Sequence, residues 1–427
     1  MSFNDYNLNP NILKSLEILQ FDKPTNIQAK SIPLALEGRD IVAQSQTGSG
    51  KTAAFSLPII QSIKPKAGVQ AIVLTPTREL ASQVTEAINS YCSFSPLKAE
   101  SIYGGVSYTP QIKALKKAEI IVATPGRLID HIDRDNTDFS NVRYIVLDEA
   151  DKMVEMGFLE DTQTIIDAVE EEIDSKAQTL LYSATFPDKI NDFVDQYLDD
   201  PVFIKTEKFV SNKFLTQNYY KVHGAQKFSL LVHLLEEEDN SIVFCSTRKE
   251  SDFVTYNLTK NGVKAKAIHG GHTQAKRQRS IENLHEGKIS VLVATDVASR
   301  GLDIRNVTKI FNWDIPKAEE DYTHRVGRTA RAGEEGEAIS FVTDRDFEYF
   351  KSIQRIHQNA ITRIKTPQIE PLRMIRDEKL LKEEKRYDRN NRQSKGFDRK
   401  SKKFSKNNFS KKKGYFKKKR IVKNIED

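Results

Sequence analysis

Apolar residues along this chain fall into short runs separated by stretches long enough to form a helix. Ile41–Ala43, Ala71–Leu74, Ile120–Ala123, Tyr144–Leu147 and Thr179–Tyr182 are rich in β-branched residues and show no regular polar alternation. That is the pattern of strands covered on both faces, as in a parallel sheet with helices above and below. A second series follows: Ile242–Cys245, Ala265–Ile268, Val291–Ala294, Lys309–Phe311 and Ala338–Val342. The two series predict an α/β chain of two similar units, joined near Thr206–Thr216. Ahead of the first strand, Leu8, Ile12, Leu16 and Leu19 have helical spacing and predict an amphipathic helix with Pro24 as its stop.

A length of 427 residues suits two domains and an extension better than one core. The net charge of +7 is unevenly spread. Residues 376–427 hold 21 Lys and Arg against 8 Asp and Glu, or +13, which leaves 45 against 51, or −6, for the rest. Between Lys385 and Lys423 the apolar periodicity is gone, and Tyr387, Phe397, Phe404, Phe409, Tyr415 and Phe416 are scattered among 18 basic residues. Such a segment buries too little apolar area to offset its ordering entropy, so residues 371–427 read as a disordered tail. Its charge and aromatics suit single-stranded nucleic acid, with stacking worth ~1–3 kcal/mol per base. Two cysteines, Cys92 and Cys245, exclude a disulfide framework and favour a reducing, cytoplasmic setting. No apolar run is long enough to span a membrane, and the N-terminus lacks the pattern of a secretory signal.

The chemistry begins after the first strand, with Thr47-Gly48-Ser49-Gly50-Lys51-Thr52. Glycines after a strand let backbone N–H groups surround a phosphate at a helix N-terminus; the Lys reaches the terminal phosphates and the Thr hydroxyl holds Mg²⁺. The general pattern asks for Gly at position 45, where this chain has Ser45. A second signal is Tyr144-Ile-Val-Leu-Asp148-Glu149-Ala150-Asp151, two acids at the carboxyl end of a buried strand. Ligands collect at such strand ends in open α/β sheets. There Asp148 is suited to hold Mg²⁺, partly through water, and Glu149 to orient and deprotonate an attacking water. Together the two signals point to phosphoryl transfer to water.

Asp148-Glu149-Ala150-Asp151 spells DEAD, and the chain resembles the DEAD-box RNA helicases over roughly residues 1–365. The resemblance implies two tandem RecA-like domains, here 1–207 and 208–370, with ATP and RNA bound across the cleft between them. Phe21-Asp-Lys-Pro24-Thr25-Asn-Ile27-Gln28, with Phe3 upstream, is similar to the family's adenine-reading motif, in which Gln28 would pair with the base and Phe21 stack on it. Gln20 stands where the family commonly has Gly, and Asn26 where it has Pro. Pro76-Thr77-Arg78-Glu79-Leu80, Gly104-Gly105 and Thr124-Pro125-Gly126-Arg127 resemble the segments that line the RNA groove of the first domain. Forked arginine donors, hydroxyls and glycine N–H groups suit phosphate and sugar, so binding independent of base sequence follows. Ser183-Ala184-Thr185 resembles the segment that couples hydrolysis to strand separation, its hydroxyls bonding to the acidic motif.

In the second unit the resemblance assigns Arg248 and Thr295 to RNA and Asp303 to the ATP ribose. His269-Gly270-Gly271 and Gln274-x-x-Arg277 lie between them in the family's order. His324-Arg325-Val326-Gly327-Arg328-Thr329-Ala330-Arg331 is similar to the arginine-finger segment. Arg328 and Arg331 would reach the γ-phosphate, and His324 would link the nucleotide to the acidic motif. Ala330 takes the place of a commoner Gly, without altering a charge. The resemblance implies action on short RNA duplexes and leaves ribosomal precursors and RNA-decay assemblies open as targets; no dimerisation module is visible in the sequence, so a monomer is expected. The same residues would also serve an ATP-gated RNA clamp.

Overall fold

In the first half of the chain, the sequence runs with no polar alternation become the middle of a sheet. Strands β1 (Ile41–Gln44), β2 (Ala71–Leu74), β3 (Ala99–Ile102), β4 (Ile120–Ala123), β5 (Tyr144–Asp148), β6 (Gln178–Ser183) and β7 (Val202–Lys205) lie in the order β3-β4-β2-β5-β6-β1-β7. In the second half β8 (Leu215–Lys221), β9 (Ser241–Phe244), β10 (Ala265–Ile268), β11 (Val291–Ala294), β12 (Lys309–Asn312), β13 (Gly336–Val342) and β14 (Ile361–Ile364) lie in the order β10-β11-β9-β12-β13-β8-β14. Every neighbouring pair is parallel. The computed structural model describes residues 2–45, 48–205, 214–235, 240–296, 304, 307–330, 335–357 and 360–375.

The second order is the first repeated, with β8 in the place of β1 and each later strand following suit. Each sheet has apolar clusters on both faces. Ile41, Ala43, Val73 and Val146 point into one and Val42, Ile72, Leu74 and Leu147 into the other. Ile242, Phe244, Leu292 and Ile310 and then Val243, Val291, Val293 and Phe311 do the same in the second sheet. Helices therefore cover both sides, and the C-terminal strand ends remain as the edge where polar loops gather.

All ten strands predicted from the sequence are present, within one or two residues at their ends. The four that were not predicted are β3, β7, β8 and β14, three of them at sheet edges. Their burial alternates or is weak, and their sequences carry charges such as Glu100, Lys205 and Arg363, so they lack the all-apolar signature of a central strand.

The N-terminal helix is also present, at Pro10–Ile18, but Pro24 does not end it. The stop is Gln20, in the left-handed region at φ 58°, with the Phe21 N–H reaching back to the Leu16 carbonyl. Gln20 is one of the two positions where the family's usual Gly is replaced. Ala330, the other, also has a left-handed backbone, at φ 53°. The Ala330 exchange keeps the charge pattern but puts a Cβ where glycine is favoured.

After β14 the chain runs on along the second unit. The Leu372 N–H donates to the Ser229 hydroxyl at 2.8 Å, and Asn257 Oδ1 accepts the Ile375 N–H at 2.7 Å. The part of the expected disordered tail from 376 onward lies outside the described residues, as do most of the joining residues, 206–213.

Candidate active site and nucleic-acid interface

The phosphate loop connects β1 to the helix Lys51–Ser62. Gly48 and Gly50 have φ of 84° and 93°, and a Cβ at Gly50 would collide with the Gln28 amide. Ser45 needs no glycine: its φ is not positive, and its N–H donates to the Ser183 carbonyl at 2.9 Å, which ties the loop to β6. Lys51 is buried, and its Nζ donates to the Ser45 carbonyl at 3.2 Å. Thr52 follows, half-buried, in the first helical turn. Thr47 lies outside the described residues.

Gln28 uses its amide on this loop. Its Nε2 donates to the Gly50 carbonyl at 3.0 Å, and its Oε1 accepts the Thr25 N–H at 2.8 Å. The Thr25 hydroxyl adds a bond to the Ser49 carbonyl at 2.8 Å. The residue assigned to adenine thus also shapes the phosphate loop. Phe21 sits in an aromatic cluster, with ring centroids 6.3 Å from Phe3 and 6.0 Å from Tyr91.

β5 delivers the acids. Asp148 is its last residue, and Glu149 turns the chain at φ 54° into the helix Ala150–Glu155. Burial pushes the Asp148 carboxyl up to about 6; Lys51 pulls the other way, and Glu149 and Asp151 add to the rise. Asp148 Oδ1 is buried with no hydrogen-bond partner. A buried carboxylate oxygen without a donor, with a hydroxyl in the same strand-end site, is a donor set that fits a hard divalent cation such as Mg²⁺.

Asp151 is the hub of the next layer. Its Oδ2 accepts the Thr185 N–H and hydroxyl, both at 3.1 Å, and its own N–H donates to the Ser183 hydroxyl at 3.1 Å. The expected hydroxyl link between Ser183, Thr185 and the acidic motif is thus observed. From the second unit, His324 Nε2 comes within 3.8 Å of Asp151 Oδ2. Burial, then the charges of Lys152, Arg328 and Lys51, outweigh Asp151 and lower the imidazole pKa to about 3, so His324 is neutral. Arg328 is itself buried. Arg331 and Asp303 lie outside the described residues.

The residues expected to line the RNA path form two matching sets. Thr77 caps the helix Arg78–Tyr91 by accepting the Leu80 N–H, and Thr247 caps Arg248–Lys260 by accepting the Glu250 N–H. Both threonines have φ −129° and ψ 153°. The Arg78 guanidinium lies against Gly104 and Gly105, the second at φ 89°, where any Cβ would strike it. The Arg248 guanidinium lies against Gly270 in the same way, 3.3 Å from the position of a Cβ. Pro76 precedes the first of these caps. Thr124 is the N-cap residue and Pro125 the first residue of the helix Pro125–Ile132. Arg127 is more committed than its motif suggests. Its NH1 donates to the Val106 carbonyl and Gln111 Oε1, and its guanidinium lies 4.3 Å from the Tyr108 ring centroid. Thr295 is buried, with its N–H on the Ile268 carbonyl.

Three cross-links were not legible in the sequence. Glu79 Oε1 meets Arg277 NH1 at 2.6 Å, and Lys152 Nζ lies 3.8 Å from Asp321 Oδ1. Arg325 grips Asp296 through two nitrogens, at 2.6 and 2.8 Å, and also donates to Asn312 and the Asp314 carbonyl. Glu79, Arg277 and Arg325 stand within motifs and Lys152 and Asp321 stand beside them, but no local pattern names a partner from another segment.

Comparison with known proteins agrees with this architecture. Residues 25–193 match the DEAD/DEAH box helicase model, and residues 226–333 match the helicase conserved C-terminal domain. The chain is 42% identical over 374 residues to the DEAD-box ATP-dependent RNA helicase CshA of Geobacillus kaustophilus, covering 86% of this chain and 79% of that one. To the Bacillus subtilis protein of the same name it is 42% identical over 377 residues, covering 87% and 75%. The structure of S. cerevisiae Dbp5 bound to RNA and ADP BeF3 is 32% identical with a TM-score of 0.78, over 85% of this chain and 95% of that one. Among the described residues no helix is long and apolar enough to cross a membrane. With its two RecA-like sheets, its phosphate loop and its Asp148-Glu149-Ala150-Asp151 motif, this chain belongs to the DEAD-box family of ATP-dependent RNA helicases.

Proposed function

We propose that this chain uses ATP hydrolysis to separate short RNA duplexes by closing its two units around nucleotide and RNA, as a cytoplasmic monomer. The observation that carries the reading is the meeting of both units at one acidic motif. Asp148 ends β5 and Glu149 follows it, with Lys51 close enough for its charge to act on Asp148, and His324 comes from the second unit to within 3.8 Å of Asp151. ATP enters with its phosphates in the loop 47–52 and its base against Phe21 and Gln28, and Asp303 takes the ribose. Because Gln28 also holds the Gly50 carbonyl, occupation of the base site is felt by the phosphate loop. Mg²⁺, held by Thr52 and Asp148, neutralises phosphate charge when bound. Glu149 orients the attacking water and takes its proton. Arg328 and Arg331 stabilise the charge that develops on the γ-phosphate.

RNA lies along Pro76, Thr77, Arg78, Gly104, Gly105, Thr124, Pro125 and Arg127 on one unit and along Arg248 and Thr295 on the other. These groups contact backbone, so the enzyme accepts many sequences. Ser183 and Thr185 pass the state of the acidic motif to β6 through Asp151. The basic residues 371–427 tether the enzyme to RNA and raise its local concentration. The test is the steady-state ATPase rate with and without single-stranded RNA, for wild type and Glu149→Gln. Strong RNA stimulation that falls about 10²–10⁴-fold in the variant is expected. A rate indifferent to RNA would overturn the substrate assignment.

A further inference from the structure

Lys152 follows the acidic motif directly and is 2% exposed. A buried ammonium is costly unless carboxylates surround it. One is local: Glu155, on the same helix, at 2.6 Å. The other, Asp321 at 3.8 Å, comes from the helix Glu319–Val326 of the second unit. Asp321 and His324 are three residues apart on that helix and so share a face. Their targets, Lys152 and Asp151, are adjacent on the helix Ala150–Glu155. One helix face therefore makes two contacts with the acidic helix, an anion to a cation and an imidazole to a carboxylate. The charge of Lys152 also helps to keep His324 neutral.

Glu155 accompanies Lys152 whatever the second unit does, whereas Asp321 is within reach only when the units meet. A contact made in one state alone shifts the balance toward that state. We propose that Lys152 and Asp321 are an ionic latch across the cleft, a positioning pair that holds the helix Ala150–Glu155, with Glu149 at its N-cap, in register with the helix carrying His324. Nothing in the local pattern around either residue announces the pairing.

The latch rests on the closure reading above, and its test separates the two. RNA-saturated kcat and the KM for ATP are measured on the full chain for wild type, Asp321→Asn, Asp321→Glu, Lys152→Met and the double variant Lys152→Met/Asp321→Asn. Asp321→Asn is expected to lower kcat about fivefold with KM little changed, and Asp321→Glu to restore most of it. The double variant is expected to be no slower than Lys152→Met, because a latch can be lost only once. A wild-type kcat for Asp321→Asn, a loss confined to KM, or losses that multiply in the double variant would overturn the latch and leave Lys152 serving Glu155 alone. Each of those results is compatible with strong RNA stimulation of the wild type, whereas failure of the closure reading removes that stimulation itself.

Discussion

Lys51 and Lys227 occupy the same place in two sheets of the same order. Each is the first residue of the helix that follows the strand lying between the last two strands of its sheet, β1 in one case and β8 in the other. Their acidic counterparts, Asp148 and Asp314, lie at or just after the ends of the corresponding strands β5 and β12. In the second sheet the two are joined: Lys227 Nζ is 3.3 Å from Asp314 Oδ1, Asp314 Oδ2 accepts the Ser246 N–H at 2.8 Å, and the ammonium lies 5.0 Å from the Trp313 ring centroid. In the first sheet Asp148 keeps an oxygen with no hydrogen-bond partner, and its carboxyl is pushed up. One architecture has thus been used twice, satisfied internally in one copy and left for a ligand in the other. The groove motifs differ less. Thr77-Arg78 with Gly104 and Thr247-Arg248 with Gly270 repeat the same cap and the same guanidinium contact in both sheets, although Gly105 has a positive φ and its counterpart Gly271 does not.

The sharpest way to break this comparison is to remove each lysine. Lys51→Ala is expected to lower RNA-stimulated ATPase by about 10²–10³-fold or more, because a preorganised cation at the phosphates is lost. Lys227→Ala is expected to leave turnover within about twofold and instead to cost about 1–3 kcal/mol in urea unfolding, since Asp314 loses its cation. Equal losses of activity in the two variants would refute the division of labour.

The acids sharpen it further. The Asp148 carboxyl titrates at about 6 in the folded chain against an ordinary 3.8. Folding therefore takes up a proton between those values, and the ligand-free protein loses stability as pH rises through that window. Asp148→Asn removes the term and should stabilise the ligand-free protein at neutral pH by about 2–3 kcal/mol, while abolishing ATPase activity. The gain should shrink as pH falls from about 6 toward 4. Asp314→Asn should stabilise nothing. Melting curves at pH 5 and 7.5 decide both.

The matched groove arginines predict matched effects. Arg78→Ala and Arg248→Ala should each weaken single-stranded RNA binding by about 1–3 kcal/mol, lower the salt slope by about one and leave sequence preference unchanged. Binding titrations across salt concentrations test this, and a large asymmetry between the two would show that the repeat is geometric only. The smallest effect concerns the left-handed residues: Gln20→Gly and Ala330→Gly should each stabilise by about 0.5–1 kcal/mol in urea unfolding, and a loss of stability would show that the glycine's chain entropy outweighs the relieved strain.

Much of the molecule was readable along the chain, for local reasons. Central strands show as apolar runs because both of their faces are covered, and the phosphate loop shows because its glycines must reach φ values of 84° and 93°. Gln20 and Ala330 were visible as departures, but their left-handed backbones were not, because a dihedral angle is imposed by the turn rather than written in the residue. The edge strands β3, β7 and β14 escaped because about half or more of each is exposed or half-buried and carries charges such as Glu100, Lys205 and Arg363, so no apolar run marks them.

The sequence by itself determined the fold class, the two-unit division and the family, and it marked the candidate residues of a nucleotide site. Each of these depends on residue types a few positions apart, within reach of one strand, turn or helix. Only the tertiary structure decided which side chains meet: Gln28 with Gly50, Lys227 with Asp314, Glu79 with Arg277, Asp321 with Lys152. These partners lie far apart along the chain, and packing the sheets with their helices is what brings them within a few ångströms. Whether a buried charge is satisfied at home, like Lys227, or held ready, like Asp148, depends on that packing and on nothing local.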